Sequence, residues 1–265
     1  MIKACFFDID GTLYDHATQS IPDSTKKAIS QLEENGIFCG IATGRHLLEI
    51  QESNLLEDLH FDWQVTLNGQ LCYDQDHLVH ALPIAPEIIP TILTIAKEEQ
   101  IALIMVEEDR MASVGYNRWL EAAQAAVHTS IPPQANYQLP YPTIYQISAF
   151  GPEDKLALFQ SIEGLRVTHW HDGAVDLIPA NGNKTAGIRQ LLADHQLSMQ
   201  EVIAFGDGAN DLDMLEAAAI GVAMGNGDKT LKQHADYVTA PIGQDGIAKA
   251  LRHFTLIKER KDAYV

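Results

Sequence analysis

Asp8 and Asp10 are two carboxylates two positions apart at the end of the apolar run Ala4-Cys5-Phe6-Phe7, and Gly11 follows them at once. Extended backbone has period two, so both side chains point the same way, and like charges that close require a cation between them or a shared proton. Three further polar clusters stand where apolar runs end: Thr43-Gly44 after 37–42, Lys184 after Asn181-Gly182-Asn183, and Asp207 with Asn210 and Asp211 after Val202-Ile203-Ala204-Phe205. Asp207, Asp211 and the first pair are hard oxygen ligands, the type that suits a six-coordinate magnesium retaining several waters. Thr43 and the backbone of Gly44, just ahead of a helix, can donate hydrogen bonds to an anion, and Lys184, also at a helix start, adds a compact positive charge. The set holds one divalent cation and one phosphoryl group. Taken singly, each member has a plainer reading: Asp10, Asp211 or Thr43 as a helix cap, Gly44 as a turn, Lys184 as a solvated surface lysine. Four such clusters at matching strand ends are not what independent plain causes would produce.

The elements that must position them follow from hydrophobic periodicity. Residues 2–8 read as a buried strand, 23–34 as a helix with Ala28, Ile29 and Leu32 on one face, and 37–42 as a second buried strand before a helix carrying Leu47, Leu48 and Ile50. A third strand at 62–67 leads through Asn68-Gly69 into a hairpin of 70–73 and 78–82. From Pro83 the grammar changes to short neighbouring strands at 102–106, 111–115, 144–150, 165–170 and 174–179, with helices at 87–98, 119–127 and 153–162. After Asn183 the βα grammar returns: a helix at 184–195, a strand at 202–205, a helix near 210, a strand at 220–223, a short helix after Asp228, a strand at 236–239 and a final helix from Gly246. This predicts an α/β fold, a doubly wound parallel (Rossmann-like) core sheet built from 1–82 and 183–265, with residues 83–182 inserted as an α+β cap domain. In an open α/β sheet the carboxyl ends of the strands line one crevice, where clusters distant in sequence meet.

Composition narrows the partners. At 265 residues, with 46% hydrophobic and 20% charged, the chain has ample core for one large or two modest domains, and disorder is expected only in the last few residues. A formal net charge of -18, spread along the whole chain, argues against nucleic acid or an anionic membrane, whose binding is driven by Lys and Arg. Cys5, Cys39 and Cys72 lie in apolar stretches without metal-ligand spacing and read as buried core thiols. The N-terminus enters a strand without signal-peptide architecture, and no apolar run approaches the ~20 residues of a membrane helix, so the cytoplasm is the expected location.

The stretches Asp8-Ile9-Asp10-Gly11-Thr12-Leu13, Ala42-Thr43-Gly44-Arg45, Asn183-Lys184 and Gly206-Asp207-Gly208-Ala209-Asn210-Asp211-Leu212-Asp213-Met214-Leu215 resemble the four ordered motifs of the haloacid dehalogenase-like superfamily. The Asn68-Gly69 turn, the large insertion between the second and third motifs and the Gly-Asp-Gly-x-Asn-Asp form point to its Cof-type phosphatase branch. Thr185 stands where the family commonly has glycine. The resemblance implies that Asp8 is the nucleophile, forming an aspartyl-phosphate, and Asp10 the general acid and then base. It implies Mg2+ held by the Asp8 carboxylate, the Asp10 backbone carbonyl and Asp207. Asp211 would orient the metal waters or Lys184, and Thr43, Gly44, Lys184 and Asn210 would hold the phosphoryl oxygens.

The leading expectation is therefore a magnesium-dependent phosphatase acting on a small phosphorylated metabolite, a sugar phosphate or cofactor phosphate, with the cap setting specificity. A phosphomutase on the same scaffold is the first alternative, though it calls for cap cations and Arg110, Arg118 and Arg166 are few and scattered. A phospho-accepting signalling module or a silent phosphate-binding protein are the others. Candidate cap contacts are Glu107, Asp109, Arg110, Tyr116, His169 and His171, all near expected strand ends or turns, with solvated loop residues as their favoured plain reading.

Overall fold

Strand alternation decides which face each core residue covers. In the computed structural model, which describes residues 1–258, β1 (Ala4–Phe7) is fully buried. Cys5 and Phe7 join one apolar cluster and Ala4 and Phe6 another on the opposite face. The helix α1 (Asp23–Glu34) starts after Pro22, buries Ala28, Ile29 and Leu32, and ends at Asn35 before Gly36 turns with φ +70°. Then come β2 (Phe38–Ala42), α2 (Leu47–Glu52), β3 (Trp63–Thr66) and the hairpin β4 (Leu71–Asp74) and β5 (His77–Ala81). The Asn68-Gly69 turn ahead of the hairpin is a tight turn in which Leu67, Asn68 and Gly69 all have positive φ.

The segment that follows builds α3 (Ile89–Glu99), β6 (Ala102–Val106), β7 (Met111–Val114), α4 (Arg118–Ala126), β8 (Gln146–Phe150), α5 (Glu153–Leu156), β9 (Leu165–His171) and β10 (Ala174–Pro179). The chain then forms α6 (Lys184–Asp194), β11 (Val202–Gly206), α7 (Leu212–Ala217), β12 (Ile220–Ala223), α8 (Lys229–His234), β13 (Tyr237–Val238) and α9 (Gly246–His253).

Two sheets result. The larger has eight strands in the order β13-β12-β11-β1-β2-β3-β4-β5, parallel except for the β4 and β5 hairpin. Its two faces are covered by α1 with α9 and by α6 with α7, so β1 at the centre is apolar on both sides. The smaller has five antiparallel strands in the order β7-β6-β8-β10-β9. Leu103, Met105, Ile147, Ala149, Val175 and Leu177 pack on α3 and α5. The alternate residues Ile104, Val106, Phe150 and Ala174 cluster with α4 and with Leu67, Leu71 and Tyr73 of the larger sheet's hairpin region. That second face therefore looks onto the core.

Two expected helices differ in form. The run 153–162 is one turn of α5 followed by a 3-10 segment, Ala157–Ser161, because Leu156 and Phe159, three apart, must both be buried. The helix expected near 210 begins as a 3-10 turn, Ala209–Asp211, since the Asp211 carboxylate accepts the Asp207 and Gly208 N–H groups at 2.9 Å. Cys5, Cys39 and Cys72 are free and buried, and burial pushes the Cys72 thiol up to about 12. Among the described residues no helix is long and apolar enough to cross a membrane. The expected C-terminal disorder, and the end of the 183–265 segment, lie outside the described residues.

Candidate active site

The parallel register brings the four clusters to one edge. Asp8 leaves β1 with its N–H bonded to the Phe205 carbonyl of β11, so it stands beside the loop carrying Asp207. Gly11 has φ +76°, and a Cβ there would collide with the Asp207 carboxylate, so only glycine permits this approach. Thr12 Oγ1 donates to Asp207 Oδ1 at 3.3 Å. At the end of β2, Thr43 Oγ1 accepts the Arg45 N–H, and Gly44 lies against the Asn68 amide, where a Cβ would be about as close as contacts allow. The helix expected after Thr43-Gly44-Arg45 starts at Leu47, with His46 as its cap.

Lys184 opens α6 behind its cap Asn183, and its side chain is fully buried. Its Nζ donates to Asp8 Oδ1 at 2.7 Å and to Asp211 Oδ1 at 2.6 Å. Both Asp211 oxygens are thus committed, one to Lys184 and one to its own loop. Thr185 fits the first helical turn, with its hydroxyl buried and unpartnered. Burial works against the Lys184 ammonium, but the Asp211 and Asp8 carboxylates outweigh it and hold its pKa above the usual lysine value. Burial pushes the Asp8 carboxyl well up; Lys184 opposes this, and Asp211, Asp207 and Asp10 add to it. Asp207 is driven to about 7, first by burial and then by Asp211.

Asp8, Asp207 and Asp211 each place a carboxylate oxygen within 4.8 Å of the others. Asp8 Oδ2 and Asp207 Oδ2 accept no hydrogen bond from the described residues, which makes these two the available donors. Asp8 and Asp207, raised first by burial and then by neighbouring carboxylates, are the kind of pair that a divalent cation relieves. The Asp10 side chain is elsewhere: Arg45 clasps it through Nε and a terminal nitrogen, each at 2.7 Å, and His16 Nε2 lies 2.7 Å from Oδ1. Burial would raise Asp10, but the His16 and Arg45 hydrogen bonds prevail and hold it well below the carboxylate range.

These residues line a cavity of about 430 Å³ between the strand ends and the inner face of the smaller sheet. Asp8, Asp10, Thr43, Gly44, Asp207 and Asn210 face it, while Lys184 and Asp211 lie beneath. Asn210 Nδ2 donates to Asn68 Oδ1 at 3.2 Å. His16, Arg45 and Asn68 also face the cavity and were not singled out by residue type or spacing. Arg45 directly follows Thr43-Gly44, and Asn68 sits at a strand end, which are the signals that would have found them.

Of the six candidate cap contacts, only His169 lines the cavity, in keeping with the plain loop reading of the others. Glu107 is occupied by Arg110 and Tyr137 in a turn, Tyr116 is 56% exposed, and His171 Nδ1 bonds the Asp172 carbonyl. Residues at turns proved less relevant than polar residues inside the strands: Gln146, Ser148 and Asp176 face the cavity from β8 and β10. A carboxylate within the apolar run Ala174-Val175-Asp176-Leu177-Ile178 was the available signal. The core reaches the same turn through His46, whose buried ring donates from Nε2 to the Glu107 and Glu108 carbonyls at 3.1 Å and accepts the Leu48 N–H at Nδ1.

Comparison with known proteins agrees with this arrangement. A family model described as haloacid dehalogenase-like hydrolase matches residues 5–251. The Bacillus subtilis protein YkrA is 32% identical, covering 97% of this chain and 99% of its own. The 5-amino-6-(5-phospho-D-ribitylamino)uracil phosphatase YcsE of the same organism is 28% identical over 96% of each chain. The solved structure of the subclass IIB sugar phosphatase BT4131 superposes with a TM-score of 0.84 at 32% identity, covering 96% of this chain and all of that one.

Proposed function

The chain belongs to the haloacid dehalogenase-like hydrolases, in their Cof-type branch, and is a phosphatase of small phosphorylated substrates; from that premise we propose that it is magnesium-dependent and works through an aspartyl-phosphate on Asp8. The observation that carries the reading is the buried Lys184 ammonium bridging Asp8 and Asp211 at the floor of the cavity. It fixes the rotamer of the Asp8 carboxylate where that carboxylate faces the cavity.

An Asp8 oxygen attacks phosphorus, the bond from phosphorus to the leaving alcohol breaks, and Asp10 gives that alcohol its proton. Water then attacks the acyl phosphate with Asp10 as base, which releases phosphate and restores both carboxyls. Arg45 and His16 hold Asp10 as a carboxylate at rest, so the proton that Asp10 passes to the alcohol comes from the His16 ring, and the proton that Asp10 takes from water returns to it. Thr43, Gly44, Asn210 and Lys184 hold the phosphoryl oxygens with donors fixed before the reaction. Asp8, Asp207 and the Asp10 backbone carbonyl would hold Mg2+, which, when bound, offsets the repulsion between carboxylate and phosphoryl group. Asp211 acts by positioning Lys184.

In this reading residues 1–82 and 183–265 are the catalytic core, 83–182 is the cap that selects a sugar phosphate or cofactor phosphate, and the cytoplasm is the place of action. Phosphomutase chemistry needs a second phosphate site in the cap. Among the described residues no cap lysine or arginine lines the main cavity: Arg110 pairs with Glu107, and Arg118 stacks on Trp119 at 4.3 Å.

The test is phosphate release from 4-nitrophenyl phosphate with and without magnesium. Turnover should stop on chelation, return with magnesium, and be abolished in Asp8→Asn with unchanged circular dichroism. Near wild-type turnover by that variant removes the nucleophile assignment, and metal-independent turnover removes the magnesium.

A further inference from the structure

The cavity wall opposite the phosphoryl site is not neutral. Strand register places Ile104, Ser148, Asp176 and Thr168 in one row across four adjacent strands, on the face that looks onto the core. Gln146 lies one pleat along the same face, paired with Val106. Asp176 is 8% exposed and Gln146 5%, yet both line the cavity. Ser148 Oγ donates to Asp176 Oδ1 at 2.7 Å, and among the described residues no lysine or arginine forms an ion pair with the carboxylate. Gln146 Oε1 is buried without a hydrogen-bond partner among the described residues. From the core, Glu49 faces the same space and is close enough to Asp176 to raise its pKa.

Buried polar groups are ordinarily satisfied, and a buried carboxylate is ordinarily paired. Here an unpartnered amide oxygen and a carboxylate that receives one hydroxyl stand together on the wall of a cavity whose other wall carries the Asp8 cluster. Among the described residues the only lysine or arginine facing the cavity is Arg45, which is bound bidentately to Asp10. A second phosphate or a carboxylate directed at this wall would meet two acidic side chains, and the cap's Arg166 opens on a smaller adjoining cavity with Lys184 and Asn210 rather than on this one; hydroxyl or ammonium donors would meet acceptors. Resting on the phosphatase reading above, we propose that Asp176, Gln146 and Glu49 form the leaving-group subsite and select esters whose alcohol carries hydroxyl or ammonium donors and no second anionic group.

Three hexose-derived esters of similar size separate the charges: glucosamine 6-phosphate, glucose 6-phosphate and 6-phosphogluconate, with 4-nitrophenyl phosphate as an ester that offers the subsite no donor. The wild type should favour the first two over the gluconate ester by at least about tenfold in kcat/KM. Asp176→Asn should lower kcat/KM for the amino sugar by about 10- to 100-fold, the loss expected for a charged hydrogen-bond partner, and that for the aryl ester far less. Gln146→Leu, which removes no charge, should show the same pattern at about 3- to 10-fold. Equal rates on all three sugars, hydrolysis of the aryl ester alone, or a uniform loss across substrates in both variants overturns the subsite. No hydrolysis of the aryl ester by the wild type instead removes the phosphatase reading beneath it.

Discussion

Replacing Asp176 by asparagine should stabilise the protein, and the gain should grow with pH. Burial drives the Asp176 carboxyl from 3.8 to about 7; the Ser148 hydrogen bond opposes this and Glu49 adds to it. The folded state therefore keeps the proton up to about pH 7, whereas the unfolded chain releases it near 3.8. Between these values the folded state binds more protons, so wild-type stability falls as pH rises through the window and levels off above it. The whole displacement corresponds to about 4 kcal/mol, an upper bound because water in the cavity relieves part of the charge. Asparagine keeps the acceptor for Ser148 and carries no charge at any of these values.

Urea unfolding followed by tryptophan fluorescence at pH 5, 6, 7 and 8 measures the difference between the two proteins. It should widen in favour of the variant by about 2.5 kcal/mol from pH 5 to pH 8. Asp8, Asp207 and Glu49 titrate in both proteins and cancel in the comparison. A gap that stays flat across the range, or a variant that loses ground as pH rises, would refute the assignment of Asp176 as an unpaired buried carboxylate.

Lys184→Met leaves Asp8 and Asp211 without their shared ammonium, so it should lower stability by about 3–5 kcal/mol, read by urea unfolding, and abolish turnover. Arg45→Lys exchanges a two-point clasp on Asp10 for a single contact; steady-state kinetics should show kcat reduced about 10- to 100-fold with KM little changed. His46→Ala removes the bonds from the core to the Glu107 and Glu108 carbonyls, so KM should rise about 3- to 10-fold and amide exchange should quicken across residues 106–111. Unchanged exchange there would mean that the ring does not tie the two parts together.

Much of the architecture was legible because central strands are apolar on both faces and helices announce their ends. The helix over Asp23–Glu34 and the strands Ala102–Val106, Ala174–Pro179 and Ile220–Ala223 follow directly from their patterns. The meeting of the four polar clusters at one edge was legible for a different reason: acidic and hydroxyl residues at strand ends have few structural uses that recur four times. What the sequence could not convey is which partner a side chain chooses. Asp10 stands two residues from Asp8, yet its carboxylate is held by Arg45, 35 positions away, and Lys184 reads as a surface residue until the fold buries it between two acids. The cap wall was harder still. Asp176, Ser148 and Thr168 are brought into one row by antiparallel pairing between strands, a relation that no local pattern encodes.

Charge balance separates the two walls of the cavity. On the core side, four carboxylates crowd together, and the protein supplies Lys184 and Arg45 to answer them, leaving just two free oxygens for a cation. On the cap side Asp176 is as deeply buried and receives one hydroxyl, although a neutral residue of similar shape would fit the same strand. A neutral side chain would also be the more stable choice above pH 7, by the argument given for the asparagine variant. Keeping a destabilising carboxylate where only a ligand can satisfy it is the signature of a binding surface rather than of packing. The ligand that satisfies it must bring donors, and the wall that lacks cations sets the limit on how much negative charge it can bring beyond its one phosphate.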